Sequence, residues 1–356
     1  MHKDDQMTPM ERLGGFLSGG EMDRILAMPF IMSVSGDAAG MTHAVKRATA
    51  RNEADAQIAS YKKFGNDLLM VEYGLHNIGK SMGTTMVETE LAVPHIKDRC
   101  LKNLEDYDKL PWEKCLMENS PFAKQELECL DILIDEMGSE VPTGVLISNA
   151  FTAITSVYPV DKVLKACRRQ PEIIHSMLRS CTDVLKSLMT EYIKHGAMIL
   201  LCEPIGSGSI MSSKMWDEFV KPYSKEIIEN IHAQGGMVCF HICGDTTKII
   251  PGMIECGPDM ISVDDRVDLA FAKGLVEPYM PIVGNVDPVE TMVLGGPADV
   301  EANVKRCIEA GYDAQHGYIL ASGCDLNVGV PQENLAAFMD AARKYGKCPV
   351  NPANWA

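Results

Sequence analysis

The sequence predicts an α/β fold, a single (β/α)8 barrel (TIM barrel) domain over residues 1–356. Three observations carry this expectation. Eight short, nearly continuous apolar runs recur along the chain, the pattern of strands buried on both faces. Longer amphipathic stretches alternate with them, as in a parallel sheet assembled from strand–helix units, and eight is the number of strands that closes a barrel. The first run is followed by "SGDAAGMTH", not by the glycine-rich fingerprint expected after the first strand of an open dinucleotide-binding sheet.

In order, the expected strands are "PFIMSV" (29–34), "DLLMVEY" (67–73), "PTGVLISN" (142–149), "AMILLCEP" (197–204), "MVCFHICG" (237–244), "MISVDD" (260–265), "MPIVGNVD" (280–287) and "YILASGCD" (318–325). Several end in a polar residue or a thiol: Glu72, Asn149, Glu203, His241 with Cys243, Asp264, Asn285, and Cys324 with Asp325. Helices are expected at 44–65, 171–196, 214–235, 297–311 and 331–346. The second of these opens on proline and closes on glycine, the usual asymmetry of helix ends. Residues 74–141 are too long for one simple crossover between the second and third strands, and are expected to form a largely helical insertion near the barrel mouth. No linker composition marks a domain boundary, and no repeat of fixed period is visible.

Composition bounds the function. The 356 residues carry 33 Lys and Arg against 49 Asp and Glu, a net charge of −16. That excludes nucleic acid as the expected partner, since phosphate binding needs a basic surface. No apolar run is long enough to span a bilayer and the opening "MHKDDQMTPMERLGGFL" is polar, so the expectation is a cytoplasmic protein with no membrane contact. Twelve cysteines in so long a chain read mostly as small buried hydrophobes in a reducing compartment. With 23 methionines they make an oxidation-sensitive interior, which points toward an anaerobe.

Two cysteines stand apart. In a barrel of this class, functional residues sit at the C-terminal ends of the strands, and "MVCFHICGD" (237–245) places His241 and Cys243 at such an end. Residues two apart on a strand share a face, so imidazole and thiol aim at one point. Cys324 ends the last expected strand, and barrel closure brings it to the same rim. Three ligands of type N, S, S with a position left open are the pattern of a catalytic zinc; a structural site would more often show CxxC knuckles, of which there are none. A Cys243–Cys324 redox pair and a hydrogen-bonded core histidine are the competing readings. Glu203 ends the neighbouring strand and is the expected fourth ligand, or else a rim carboxylate orienting substrate. Glu203, Asp264 and Asn285 are the expected catalytic residues, while Asp245, Asp287 and Asp325 divide between loop capping and function.

"HICGDTTKIIPGMIECGPDMISVDD", "PIVGNVDP" and "ASGCDLNVGVPQENLAAFMDAARKYG" together resemble the uroporphyrinogen decarboxylase superfamily, in its branch of cobamide-dependent methyltransferases. The resemblance covers most of the chain and is weakest across 74–141. It implies zinc held by His241, Cys243 and Cys324. It implies transfer of a methyl group between a corrinoid, carried on a corrinoid protein, and a small thiol of the coenzyme M type. The alternative is demethylation of a methyl ether, methylamine or other donor onto Co(I). A decarboxylase-like lyase or a non-catalytic binding protein is a weaker expectation: the arginine-rich first-strand stretch of the true decarboxylases is replaced here by "FIMSVSGDAAGMTH", with no arginine between Arg24 and Arg47. A homodimer is compatible with the sequence but not required by it.

Overall fold

The computed structural model describes residues 2–355. Nine strands form: β1 (Leu69–Gly74), β2 (Thr85–Val87), β3 (His95–Asp98), β4 (Thr143–Ser148), β5 (Met198–Cys202), β6 (Val238–Ile242), β7 (Met260–Val263), β8 (Ile282–Val286) and β9 (Tyr318–Ser322). Seven of them make one parallel sheet in the order β1-β4-β5-β6-β7-β8-β9, and β2 and β3 pair as a separate antiparallel hairpin. The chain is thus a TIM-barrel-like α/β fold whose main sheet has seven regular strands.

Strand alternation sorts the core into two layers. Met70, Leu146, Leu200, Cys202, Met260, Val283, Ile319 and Ala321 point to the inside of the curled sheet. Val71, Tyr73, Val145, Ile147, Ile199 and Leu201 point outward against the helices. Helix Pro9–Ser18 opens at a Thr8–Glu11 capping box and packs Leu13 and Phe16 against the interior layer.

The expected strand at 29–34 does not form; its last residues are turn and the start of a short helix, Ser35–Ala38. The preceding residues, Arg24 to Phe30, take the place between β9 and β1 without regular strand geometry. Ala27 bridges Leu320 in parallel, Met28 N–H donates to the Leu320 carbonyl at 2.8 Å, and Asp67 N–H donates to the Ala27 carbonyl at 2.9 Å. Two causes are visible. Pro29 has no N–H to give a ladder, and the Ala27 N–H is taken by the Asp67 carboxylate at 2.7 Å. That carboxylate, fully buried, also pairs with Arg12 and Arg24. Arg24 in turn pairs with Asp5, which Arg343 also reaches. An ion network rather than a ladder pins this segment.

Residues 74–141 divide in two. Helix Pro121–Met137 packs on β1 and on helix Ala50–Phe64, and so is the ordinary crossover between β1 and β4. The stretch before it holds the short helix Asn77–Ser81, the β2–β3 hairpin and two 3-10 turns at Leu104–Lys109 and Trp112–Cys115.

Candidate metal centre

His241 lies on β6 opposite Ser262 of β7, and its side chain is turned into the sheet interior, where the edge of the Phe30 ring packs on it. Its Nδ1 stands 3.0 Å from the Ser262 hydroxyl. With Ser262 accepting from Nδ1–H, the lone pair on Nε2 is turned toward the two thiols. Cys243 Sγ is 3.3 Å from Nε2 and 3.5 Å from Cys324 Sγ. The three donor atoms all lie within 4.8 Å of one another. Sequence spacing alone brought His241 and Cys243 together; only the sheet order adds Cys324.

The donor set fits a soft, borderline cation such as zinc. The Cys324 thiol is held far above the ordinary cysteine range, first by its contact with Cys243 and then by burial. Two part-buried thiols 3.5 Å apart do not ionise beside one another without a positive charge between them.

Backbone geometry sets the two thiols. Gly244 turns the chain with φ +75°, and its N–H donates to Asp264 at 2.8 Å. The other Asp264 oxygen accepts from Arg266 N–H at 3.0 Å. Asn285, nearly fully buried, donates to the carbonyls of Asp264 and Val267 at 3.0 and 2.8 Å. Asp264 and Asn285, two of the three expected catalytic residues, therefore hold the loops behind the thiols. Asp325 accepts from Met32 N–H and from the Ser33 hydroxyl and N–H, tying the Cys324 loop to the chain that follows the irregular segment. Burial, then the charge of Glu72, push its carboxyl up to about 7.

Glu203 is fully buried just after β5. Its N–H donates to the His241 carbonyl at 3.0 Å, and its carboxylate accepts from Phe151 N–H at 3.1 Å and from the Thr152 hydroxyl. It closes onto the start of helix Ala150–Thr155 and is not among the three clustered donors. Burial pushes its carboxyl up to about 7. Asp245 and Asp287 cap their own loops through the N–H groups of Thr247, and of Val289 and Glu290.

The uroporphyrinogen decarboxylase (URO-D) family profile matches residues 8–345. The chain belongs to the uroporphyrinogen decarboxylase family. It is similar to methylcobamide:CoM methyltransferase MtbA of Methanosarcina mazei, 27% identical over 96% of this chain and 99% of that protein. It is also similar to a methylated-thiol–coenzyme M methyltransferase of the same organism, 25% identical over 95% and 90%. Among solved structures, a Methanosarcina mazei methyltransferase superposes with a TM-score of 0.81 over 96% of this chain and 99% of that one, at 20% identity. That likeness establishes the fold of this family member.

Within this uroporphyrinogen decarboxylase family chain, sequence reasoning missed Ser262, which contacts His241 Nδ1, and Thr152, which holds Glu203. Their only sequence signal is a hydroxyl near a strand end, which is too common to single them out. It also missed a polar cavity beyond β1, described below.

Proposed function

We propose that the protein is a zinc-dependent methyltransferase that moves a methyl group between a corrinoid and a small thiol substrate. The observation that carries this reading is the convergence of one imidazole and two thiols within 4.8 Å at the C-terminal ends of β6 and β9, the functional rim of such folds. The corrinoid is a methylcobamide presented by a corrinoid protein at this rim, a reading supported by the printed activity of the relatives. Arg24 to Phe30 serve as the eighth stave that brings Cys324 round to His241, and the β2–β3 hairpin and the turns after it form the insertion at the mouth. We place the protein in the cytoplasm; among the described residues no helix is long and apolar enough to cross a membrane.

His241, Cys243 and Cys324 would hold the zinc, which supplies the positive charge that turns a substrate thiol into a thiolate near neutral pH. The chain does the rest by position. Ser262 fixes the imidazole, Asp264 and Asn285 fix the loop that presents Cys243, and Asp325 fixes the loop that presents Cys324. Glu203 was expected as a fourth ligand. To join the donors its carboxylate must leave Phe151 and Thr152, so we assign it to holding helix Ala150–Thr155 beside the site.

The test is metal content and methyl transfer measured together. Protein as purified should hold about one zinc per chain by atomic emission, as three protein ligands with one open position imply. It should also demethylate methylcobalamin in the presence of a thiol, followed by the cobalamin spectrum. His241→Ala and Cys324→Ser should each lose both properties and keep the far-UV circular dichroism. Zinc retained in both variants, or full activity after exhaustive chelation, overturns the reading.

A further inference from the structure

A cavity of about 430 Å³ lies beyond the C-terminal end of β1, among the helix His43–Arg47, the β2–β3 hairpin and helix Pro121–Met137. Its walls are charged, and half of those charges already have partners. Lys46, behind the wall, lies 3.9 Å from Glu53 and donates to the Met32 carbonyl at 2.6 Å. Arg47 pairs with Glu88 at 3.0 Å. Two charges do not. Among the described residues no carboxylate lies within 4.0 Å of the Lys80 ammonium; it sits 4.1 Å over the Phe122 ring, and burial lowers its pKa. The Glu72 carboxylate, on the interior face of β1, has no hydrogen-bonding or ion-pair partner among the described residues either. The two face the same cavity and do not reach one another.

Five wall groups carry a buried atom with no partner, Arg47 Nε, Tyr73 Oη and His76 Nδ1 together with Glu126 Oε2, at 6% exposure, and His43 Nε2, at 4%. His43 Nδ1 is 3.3 Å from the Ser33 carbonyl and must carry the proton there, which leaves Nε2 as an acceptor. Burial of polar atoms without partners is costly, so the cavity is built to be completed by a polar guest. It also adjoins the metal centre: His43 bonds Ser33, Ser33 bonds Asp325, and Asp325 follows Cys324.

We propose that this cavity binds the polar head of the small substrate, and that the head is a zwitterion of amino-acid type, its carboxylate on Lys80 and its ammonium on Glu72. The assignment of that guest as the methyl acceptor rests on the methyltransferase reading; its binding does not. A single-charge guest would leave Lys80 or Glu72 unpaired, whereas a zwitterion satisfies both.

Isothermal titration calorimetry separates the two claims. The probes are homocysteine, 3-mercaptopropionate (the same type of thiol without the ammonium) and cysteamine (without the carboxylate). Homocysteine should bind at least about tenfold more tightly than either, the scale of one charge-assisted hydrogen bond. 2-Aminobutyrate, which has no thiol, should still bind the metal-depleted protein. Lys80→Met should weaken homocysteine and 3-mercaptopropionate and spare cysteamine, and Glu72→Gln should weaken homocysteine and cysteamine and spare 3-mercaptopropionate. A misfolded variant would lose all three and cannot give this crossed pattern. Binding of 2-aminobutyrate to metal-depleted protein upholds the cavity assignment even if methyl transfer fails. Equal affinity for 3-mercaptopropionate and homocysteine, unchanged by Glu72→Gln, overturns it.

Discussion

At the scale of single residues, the proposed metal centre would depend on groups outside its three donors. Ser262 is the clearest, since it selects which imidazole nitrogen faces the thiols. Ser262→Ala should weaken zinc affinity by roughly 10–100-fold, the usual cost of losing such a partner, with unchanged thermal stability of the metal-free protein; competition against a chromogenic chelator measures it. Glu126 gives a second, pH-dependent test. Burial, then the neighbouring Glu53 and Glu72, raise its carboxyl well above the ordinary value of 4.5. A raised acid binds more protons folded than unfolded, so its contribution is intact below the unfolded value and is lost as pH rises from there toward the folded one. Glu126→Gln, which stays neutral, should flatten the fall in melting temperature above about pH 4.5; a profile superimposable on the parent would refute it. The metal trio was legible because His-x-Cys at a strand end is a rare arrangement. Lys80 and Glu126 were not, because each is one charged residue among many until the fold sets both, with Glu72, around one cavity.

At the scale of elements, the irregular segment before β1 differs most from expectation. "PFIMSV" has the composition of a strand, and the sequence signal that mattered was Pro29. The actual contact with β9 comes a few residues earlier, where Asp67 replaces a ladder partner. Seven other apolar runs became the strands they looked like, because continuous burial on both faces leaves no other regular arrangement for them. The helix in the expected insertion was visible as an amphipathic stretch, but its role as a plain crossover depended on packing against β1. Asp67→Ala leaves Arg12 and Arg24 buried with one carboxylate fewer, and should cost about 3–5 kcal/mol in urea unfolding. Amide exchange should accelerate first at Met28, whose N–H donates to the Leu320 carbonyl, and at Leu320, whose N–H donates to the Leu26 carbonyl, the bonds that hold the segment to β9. Gly323→Ala tests the other side of the ring: a Cβ there would lie 2.5 Å from the Asp265 backbone nitrogen. That clash should shift Cys324 and reduce zinc content while most of the fold survives.

At the scale of the whole molecule, the proposed metal would be an addition to the fold and not its foundation. Structural zinc sites hold together domains too small to bury a core, and such domains unfold when chelated. Here two extensive buried layers exist without any contribution from His241, Cys243 or Cys324, and each ligand loop has its own anchor in Asp264 or Asp325. Zinc bound to the native state alone still adds stability through linkage, by an amount set by free zinc and affinity. Chelated protein should therefore melt at a lower temperature but in one cooperative transition, with far- and near-UV circular dichroism unchanged at 25 °C. Returning zinc should restore the original melting temperature without a refolding step. A chelated protein that lost its near-UV signal would mean that the three ligands lock the barrel's rim, and the donor set would then have to be read as structural. The three-donor cluster, with no fourth donor beside it among the described residues, and the polar cavity near it argue for the first outcome, because a site meant only to hold the fold has no use for an adjoining space lined with unpaired charges.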